Sequence, residues 1–439
     1  MSNLLKSISN QLERFPRLWR LIFRLYGIRS FSQERIRYRE RSKVFEDEKA
    51  YSSQFEVIFD AQCLQTLTRQ RGIGKYSLSL IEAICKVTPE KQFAAYLTNI
   101  ADRAELNIAK ELLASLKCPN LSVLVLNPFE SSNKISLAQS QEFLQSSLSS
   151  FVPKVVISLS NFEKPTSAIP LPASSTYKTS AILYDLIPLQ FSDHLLISRR
   201  QETSYRWLLA NLQKFDYLFS ISNTTKEIWA DLISKSSVIK VINGAGYQYV
   251  ETESLGFAHR FGILCVGAEQ QHKNLERLIS AYSMFPKNIQ VTHPLTIVGI
   301  RSNGARRKLA KFARRLNCDV LLPQYLTEAA LRTEYRSNRI LIMPSLSEGL
   351  SLPILEAWAN GLPAIGSART VADELIQEKA LLFDPKNIYS IAQVIEVLLL
   401  SEVEWNKAIL GARTNAKNYS WARTADLVLS AIEEFGEHG

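Results

Sequence analysis

The sequence predicts an α/β protein made of two successive doubly wound units facing a cleft, with a short basic extension in front. Three observations predict it. Apolar runs of strand length alternate with helical patterns twice over, first across 55–250 and again from 261 onward. The stretch between the two series, "INGAGYQYVETESLGFAHR" (242–260), has glycines and no period, which marks a join. The charge is also segregated: residues 1–45 hold eleven Lys or Arg against three Glu, a net of +8 out of +10 for the chain.

Bulk properties bound the rest. A chain of 439 residues, 46% hydrophobic and 21% charged, suits two to three globular domains. Its longest purely apolar runs, such as "VLLL" at 397–400, are far too short to span a bilayer. Cys63, Cys85, Cys118, Cys265 and Cys318 show no paired spacing, and the five histidines form no metal motif. This argues against a disulfide framework or a zinc site and fits a reducing compartment. Outside residues 1–45 the net charge is about +2, too little for a nucleic-acid-binding body.

The extension itself, residues 1–50, carries Arg14, Arg17, Arg20 and Arg24 at helical spacing beside Leu18, Trp19, Leu21, Ile22, Phe23, Leu25 and Tyr26. A cationic stripe next to a broad aromatic and aliphatic face suits an anionic membrane surface. Packing on the body or on a partner is the other reading. Arginines interrupt the apolar region and no small-residue cleavage site follows, so it is no signal peptide.

The first unit, 51–250, opens with a strand "FEVIFDA", a glycine-containing loop "RQRGIGKY" and a helix "YSLSLIEAICKV". Further strands are expected at 93–99, 121–127, 154–160, 179–189 and 215–222, with helices between most of them. The second unit, 251–420, repeats the alternation. Strands are expected at "FGILCVGA" (261–268), "LTIVGI" (295–300), "DVLLPQYL" (319–326) and "RILIMPS" (339–345), then at "LPAIGS" and "ALLFDP". Helices are expected at 273–285, 305–316, 326–338 with Thr327 as N-cap, and 352–361 with Gly361 as C-cap. Residues 421–439 form a last helix that can pack back on the first unit. Two Rossmann-like units of this kind bind ligands at the carboxyl ends of their strands.

The most informative stretch is "SLSEGLSLPILEAWANG", 345–361. Pro353 suits the first turn of a helix, so Glu356 lies at the end of that turn and Glu348 in the loop before it. The backbone N–H groups of Gly349, Leu350, Ser351 and Leu352 gather at the helix start, an anion site by geometry and dipole. Carboxylates are repelled by phosphate but accept hydrogen bonds from hydroxyls. A nucleoside diphosphate sugar, two polyols joined by a diphosphate, satisfies the whole stretch; simple support of the helix dipole is the plainer alternative. Lys273, after a strand and before a helix, can neutralise a diphosphate or merely be solvated. The "GIG" at 72–74 lacks the longer dinucleotide fingerprint and is equally a plain turn.

These residues carry a resemblance. "GIGKYSLSL", "YDLIPLQF", "SISNTTKEIW", "VINGAG", "VGAEQQHKNLERL" and the run "LTEAALRTEYRSNRILIMPSLSEGLSLPILEAWANGLPAIGS" occur in order, followed by "ALLFDP" and "YSWARTADLVL". Together, over about 55–435, they resemble the GT-B-fold retaining glycosyltransferases of group 1 (family 4, mannosyltransferase-like). The resemblance implies that Glu348 meets the donor sugar, Glu356 bonds the ribose and Lys273 binds the diphosphate. It implies that Gly349 to Leu352 cradle phosphate and sugar, that Gly74 lies in a loop over the donor, and that Gly267, Gly299 and Tyr325 belong to the donor pocket. Tyr184 and Asp185 join Glu348 and Lys273 as the catalytic group.

Three positions depart from the family pattern. Tyr184 stands where a histidine is usual, Ala268 where an arginine often follows the glycine, and Ser351 where a glycine is usual. Tyrosine donates a hydrogen bond but carries no charge at neutral pH. Ser351 is strained if that position needs positive φ. The expectation is therefore metal-independent hexose transfer, with no cofactor. The donor would be a nucleotide sugar (GDP-mannose by resemblance) and the acceptor a glycan or glycolipid in polysaccharide synthesis, at the cytoplasmic face of a membrane. A GT-B-fold sugar-binding or partner subunit without transferase activity is the alternative.

Overall fold

The computed structural model describes residues 54–437, apart from 100–101, 128–136, 164–167, 197, 234–237, 247–254, 268 and 325. The basic extension, Ala268 and Tyr325 thus lie outside the described residues. Two compact units are present: one takes the chain to Tyr184, Leu196–Ile242 and the end from Ala422, the other takes Asp185–Leu195 and Asn243–Trp421.

The first unit holds a seven-stranded sheet. Its strands are β1 (Val57–Asp60), β2 (Phe93–Thr98), β3 (Leu121–Leu126), β4 (Val155–Ser158), β5 (Lys178–Leu183), β6 (Tyr217–Ser220) and β7 (Val238–Val241). The order is β3-β2-β1-β4-β5-β6-β7, and every pairing is parallel. β1, β2 and β4 are buried throughout, as expected of parallel strands covered on both faces. The order reverses between β1 and β4. The last helix, Trp421–Glu437, belongs to this unit through buried Ala425, Val428, Leu429, Ala431 and Ile432. Lys91 and Lys240 pair with its Glu433 and Glu434.

The second unit holds six parallel strands: β8 (Ile263–Val266), β9 (Leu295–Val298), β10 (Val320–Leu321), β11 (Ile340–Met343), β12 (Ala364–Ser367) and β13 (Leu382–Phe383). Their order is β10-β9-β8-β11-β12-β13, which reverses between β8 and β11. Thr327 caps the helix Glu328–Ser337 by accepting from Ala330 N, and the helix Leu352–Ala359 ends at Asn360, its C-cap, with the expected Gly361 turning left-handed (φ 65°) just beyond. The Thr327 cap matches expectation.

Four local expectations change. The "GIG" does not lie in a loop: the helix Gly72–Val87 begins on it. A side chain at Gly74 would lie 2.4 Å from the Arg69 Cα, so the preceding turn crosses this helix too closely for anything but glycine. The strand foreseen over 179–189 stops at Leu183. Asp185 accepts from Ile187 N, and Pro188 fits the first turn of the short helix Ile187–Gln190 that follows. The helix foreseen from 273 starts at Leu275, because Asn274 turns left-handed at φ 59° and bonds the carbonyls of Pro344 and Pro385. β7 was not foreseen, since "VIKV" is short and interrupted by lysine.

Two buried arginines, Arg260 and Arg339, brace the second unit chiefly through backbone carbonyls. Arg260, 1% exposed, donates to the carbonyls of Leu255, Tyr335, Asn338 and Asn360. Three of these lie at or near the C-terminal ends of the helices Glu328–Ser337 and Leu352–Ala359, where the helix dipoles are negative. Arg339 stacks over Phe257 at 3.8 Å and donates to Leu399 O and Arg260 O. No helix among the described residues is long and apolar enough to cross a membrane.

Candidate functional site

The polar residues of the second unit converge at its switch point. β8 runs into Lys273 and β11 runs into Glu348, so the two strands flanking the reversal deliver both side chains to one place. Lys273 Nζ lies 2.6 Å from Glu348 Oε1, and Ser345 Oγ donates to the same oxygen at 2.6 Å. Asn274 ties the two loops through Pro344 O, and Leu346 N donates to His272 O at 2.7 Å.

The electrostatics follow from burial and pairing. Burial pushes the Glu348 carboxyl up, but the charge and hydrogen bond of Lys273, with Ser345, outweigh it and hold the group below its ordinary range. Burial acts against the Lys273 ammonium, but Glu348 and Asp185 raise it. Burial, aided by the Glu348 charge, raises Asp185. Burial, then the Lys273 charge, brings His272 down to about 4, so this imidazole is neutral at pH 7. The segment Asp185–Leu195 was expected with the first unit but groups with this one. Ser347 Oγ donates to Gln190 Oε1 at 2.6 Å, and Phe191 packs 5.7 Å from the His272 ring.

The helix Leu352–Ala359 supplies the rest. Pro353, in its first turn, has no N–H to satisfy, and Ile354 N donates to Ser351 O at 3.0 Å. Ser351, its N-cap, stands at φ 59° and ψ 62°, the left-handed region. The side chain is 5% exposed, caps nothing, and its Oγ has no partner among the described residues. Glu356, 5% exposed, accepts from Tyr335 Oη at 2.7 Å through Oε2. Gly246 lies so close to this helix that a side chain there would meet Leu355 O at 2.4 Å.

The structure brings Lys273, Glu348, Gly349, Leu350, Ser351, Leu352, Glu356, Gly267 and Asp185 into the second unit, with Lys273, Glu348 and Asp185 in electrostatic contact. A Cβ on Gly267 would touch the Lys273 side chain, and one on Gly299 (φ 102°) would lie 2.4 Å from Gly267 O. These glycines let the ends of β8 and β9 close up beside the lysine. Gly74 and Tyr184 belong to the first unit. Tyr184 packs edge-on against Tyr76 at 5.8 Å; its hydroxyl is buried near Ser77, with no partner of good geometry among the described residues. Ser345, Gln190, Tyr335, Asn274 and Gly246 were not foreseen. Only Asn274, next to the lysine, and Gly246, in "INGAG", carried a local signal. Among the described residues no group of three or more His, Cys, Asp or Glu could hold a metal.

With this geometry in hand, likeness to known proteins becomes informative. Residues 253–418 match the family model described as glycosyl transferases group 1. The chain is 24% identical over 404 residues to the serotype-specific mannosyltransferase WbdA of Escherichia coli, covering 86% of this chain and 48% of that protein. The chain thus spans about half the length of that curated relative. Sucrose-phosphate synthase from Thermosynechococcus elongatus superposes at a TM-score of 0.64 with 15% identity, over 88% of this chain and all of that one. Anabaena HepE in complex with UDP and glucose does so at 0.64 with 16% identity, over 87% and 100%. These structures share the fold.

Proposed function

We propose that this chain, whose residues 253–418 match the group 1 glycosyl transferase model, is a retaining glycosyltransferase. It moves a hexose from a nucleoside diphosphate sugar to a glycan or glycolipid acceptor. Mannose carried on GDP is the first donor to test, in keeping with the mannosyltransferase relative. The observation that carries the reading is the Lys273–Glu348 pair at the switch point, beside a helix N-terminus whose first turns hold Glu356.

The chemistry follows from these groups. The departing diphosphate gains negative charge as the glycosidic bond breaks. Lys273 and the positive, N-terminal end of the helix Leu352–Ala359 offset that charge in a site already shaped for it. Glu348, kept ionised by Lys273, accepts from sugar hydroxyls, and Glu356 from the ribose. The acceptor hydroxyl attacks from the face the diphosphate leaves, its proton passing to the departing phosphate oxygen. No metal is required, because the cation is Lys273.

Calorimetry with GDP-mannose and a panel of other nucleotide sugars tests this. Glu356→Ala should abolish donor binding, and unchanged affinity for every nucleotide sugar would overturn it. The buried Tyr184 hydroxyl favours a second reading, a sugar-binding subunit without transferase activity. Transfer or hydrolysis of any donor by the purified chain excludes that reading. The basic extension would hold the protein at the cytoplasmic face of the membrane. The full chain should pellet with anionic liposomes and a chain lacking residues 1–45 should not; two soluble forms would assign the extension to protein docking instead.

A further inference from the structure

We infer that Tyr335 is a positioning residue for nucleotide recognition: its hydroxyl fixes the Glu356 carboxylate in the orientation that accepts the donor's ribose hydroxyls. The inference rests on the donor-binding reading of Glu356 given above.

An unrestrained glutamate side chain is mobile. Its three side-chain torsions allow many placements of the carboxylate, and a ligand that had to order them would bind more weakly. Here the ordering is done in advance. Tyr335 is fully buried at 0% exposure and Glu356 is 5% exposed, so the 2.7 Å bond between them is a charge-assisted contact shielded from water. A phenol on a buried ring has little freedom of its own.

The frame behind the pair is equally fixed. Arg260 donates to the backbone carbonyl of Tyr335 at 2.9 Å and to that of Asn360 at 3.0 Å. Asn360 Nδ2 in turn donates to Glu356 O at 2.8 Å. One buried guanidinium therefore links the helix bearing the hydroxyl to the end of the helix bearing the carboxylate. An ordinary core tyrosine needs only some acceptor for its hydroxyl. This one spends its hydroxyl on the carboxylate assigned to the ligand.

The test is discrimination between ribose and deoxyribose. GDP, UDP and ADP are titrated calorimetrically into the full chain and into Tyr335→Phe, and the tightest binder is compared with its 2′-deoxy and 3′-deoxy forms. The natural chain should favour the ribonucleotide by about tenfold, the usual weight of a hydrogen bond to a charged group. In Tyr335→Phe the ribonucleotide should weaken roughly five- to tenfold while the deoxynucleotides change less than about twofold, so the preference collapses. A preference kept intact in Tyr335→Phe overturns the positioning role. A natural chain with no ribose preference, or with no nucleotide binding, overturns the reading of Glu356 and the inference with it. Partial unfolding of the variant lowers stoichiometry and leaves the ratio within that variant unchanged, so misfolding cannot mimic the expected result.

Discussion

Lys273 and Glu348 stand 75 residues apart in sequence and form one ion pair, 2.6 Å between Nζ and Oε1, between the two strands where the sheet order reverses. Neither charge is well solvated: their side chains are 17% and 13% exposed. Removing Lys273 leaves the Glu348 carboxylate buried without its counter-charge, and removing Glu348 leaves Lys273 only the weaker pull of Asp185, each at a cost of about 3 kcal/mol. Lys273→Met and Glu348→Gln should therefore each destabilise strongly in urea unfolding, and the double variant should lose clearly less than the sum. Simple additivity would show that the pair is not coupled. Glu348 is held below 4.5, so its contribution is full above that pH and is lost as pH falls through the lowered value. Lys273 is raised above 10.5, so its contribution is full below that pH and is lost as pH rises beyond.

Ser351 predicts a gain from substitution. A left-handed non-glycine residue costs about 1 kcal/mol or more, and a buried hydroxyl without a partner adds to this. Ser351→Gly should raise stability by about 1 kcal/mol, a few degrees of Tm in a thermal melt. A lower Tm would mean that the hydroxyl has a stabilising partner.

Asp60 predicts a pH slope. Burial lifts its carboxyl to about 6 from an ordinary 3.8, against the pull of its bonds from Gln62. Between those values the native state holds a proton that the unfolded state has lost, so stability falls as pH rises through this window. Asp60→Asn removes the slope. The variant should be more stable than the natural chain by on the order of 1–3 kcal/mol at pH 7.5 and nearly equal to it at pH 4. Parallel stability curves for the two chains would refute this.

Gly246 predicts a coupling between packing and binding. Any side chain there would press on Leu355 O and on Glu356 N, at 2.4 and 2.6 Å. Gly246→Ala should displace the helix that bears Glu356, costing roughly 1–3 kcal/mol and weakening nucleotide binding about tenfold. Unchanged affinity in calorimetry would show that the helix yields without moving its carboxylate.

Much of the fold was legible because parallel strands buried on both faces read as apolar runs, as in "VIF" of β1, "FAAYL" of β2 and "ILIM" of β11. β7 was not, because four residues with a central lysine carry no period. The strain at Ser351 was legible as a serine in a place suited to glycine, and φ 59° bears it out. The Lys273–Glu348 bond was not, since spacing along a chain says nothing of distance across a switch point. Tyr335 was invisible for a different reason: in a helical pattern a buried tyrosine looks like core, and its hydroxyl partner is set by the neighbouring helix.

The last helix, Trp421–Glu437, completes the first unit although it follows the second. Completion of the first unit therefore depends on residues that follow the second in the chain. During synthesis the sites for Val428 and Ile432 stay uncovered until residues 421–437 have emerged. A chain stopped before residue 421 carries a first unit with that apolar surface uncovered.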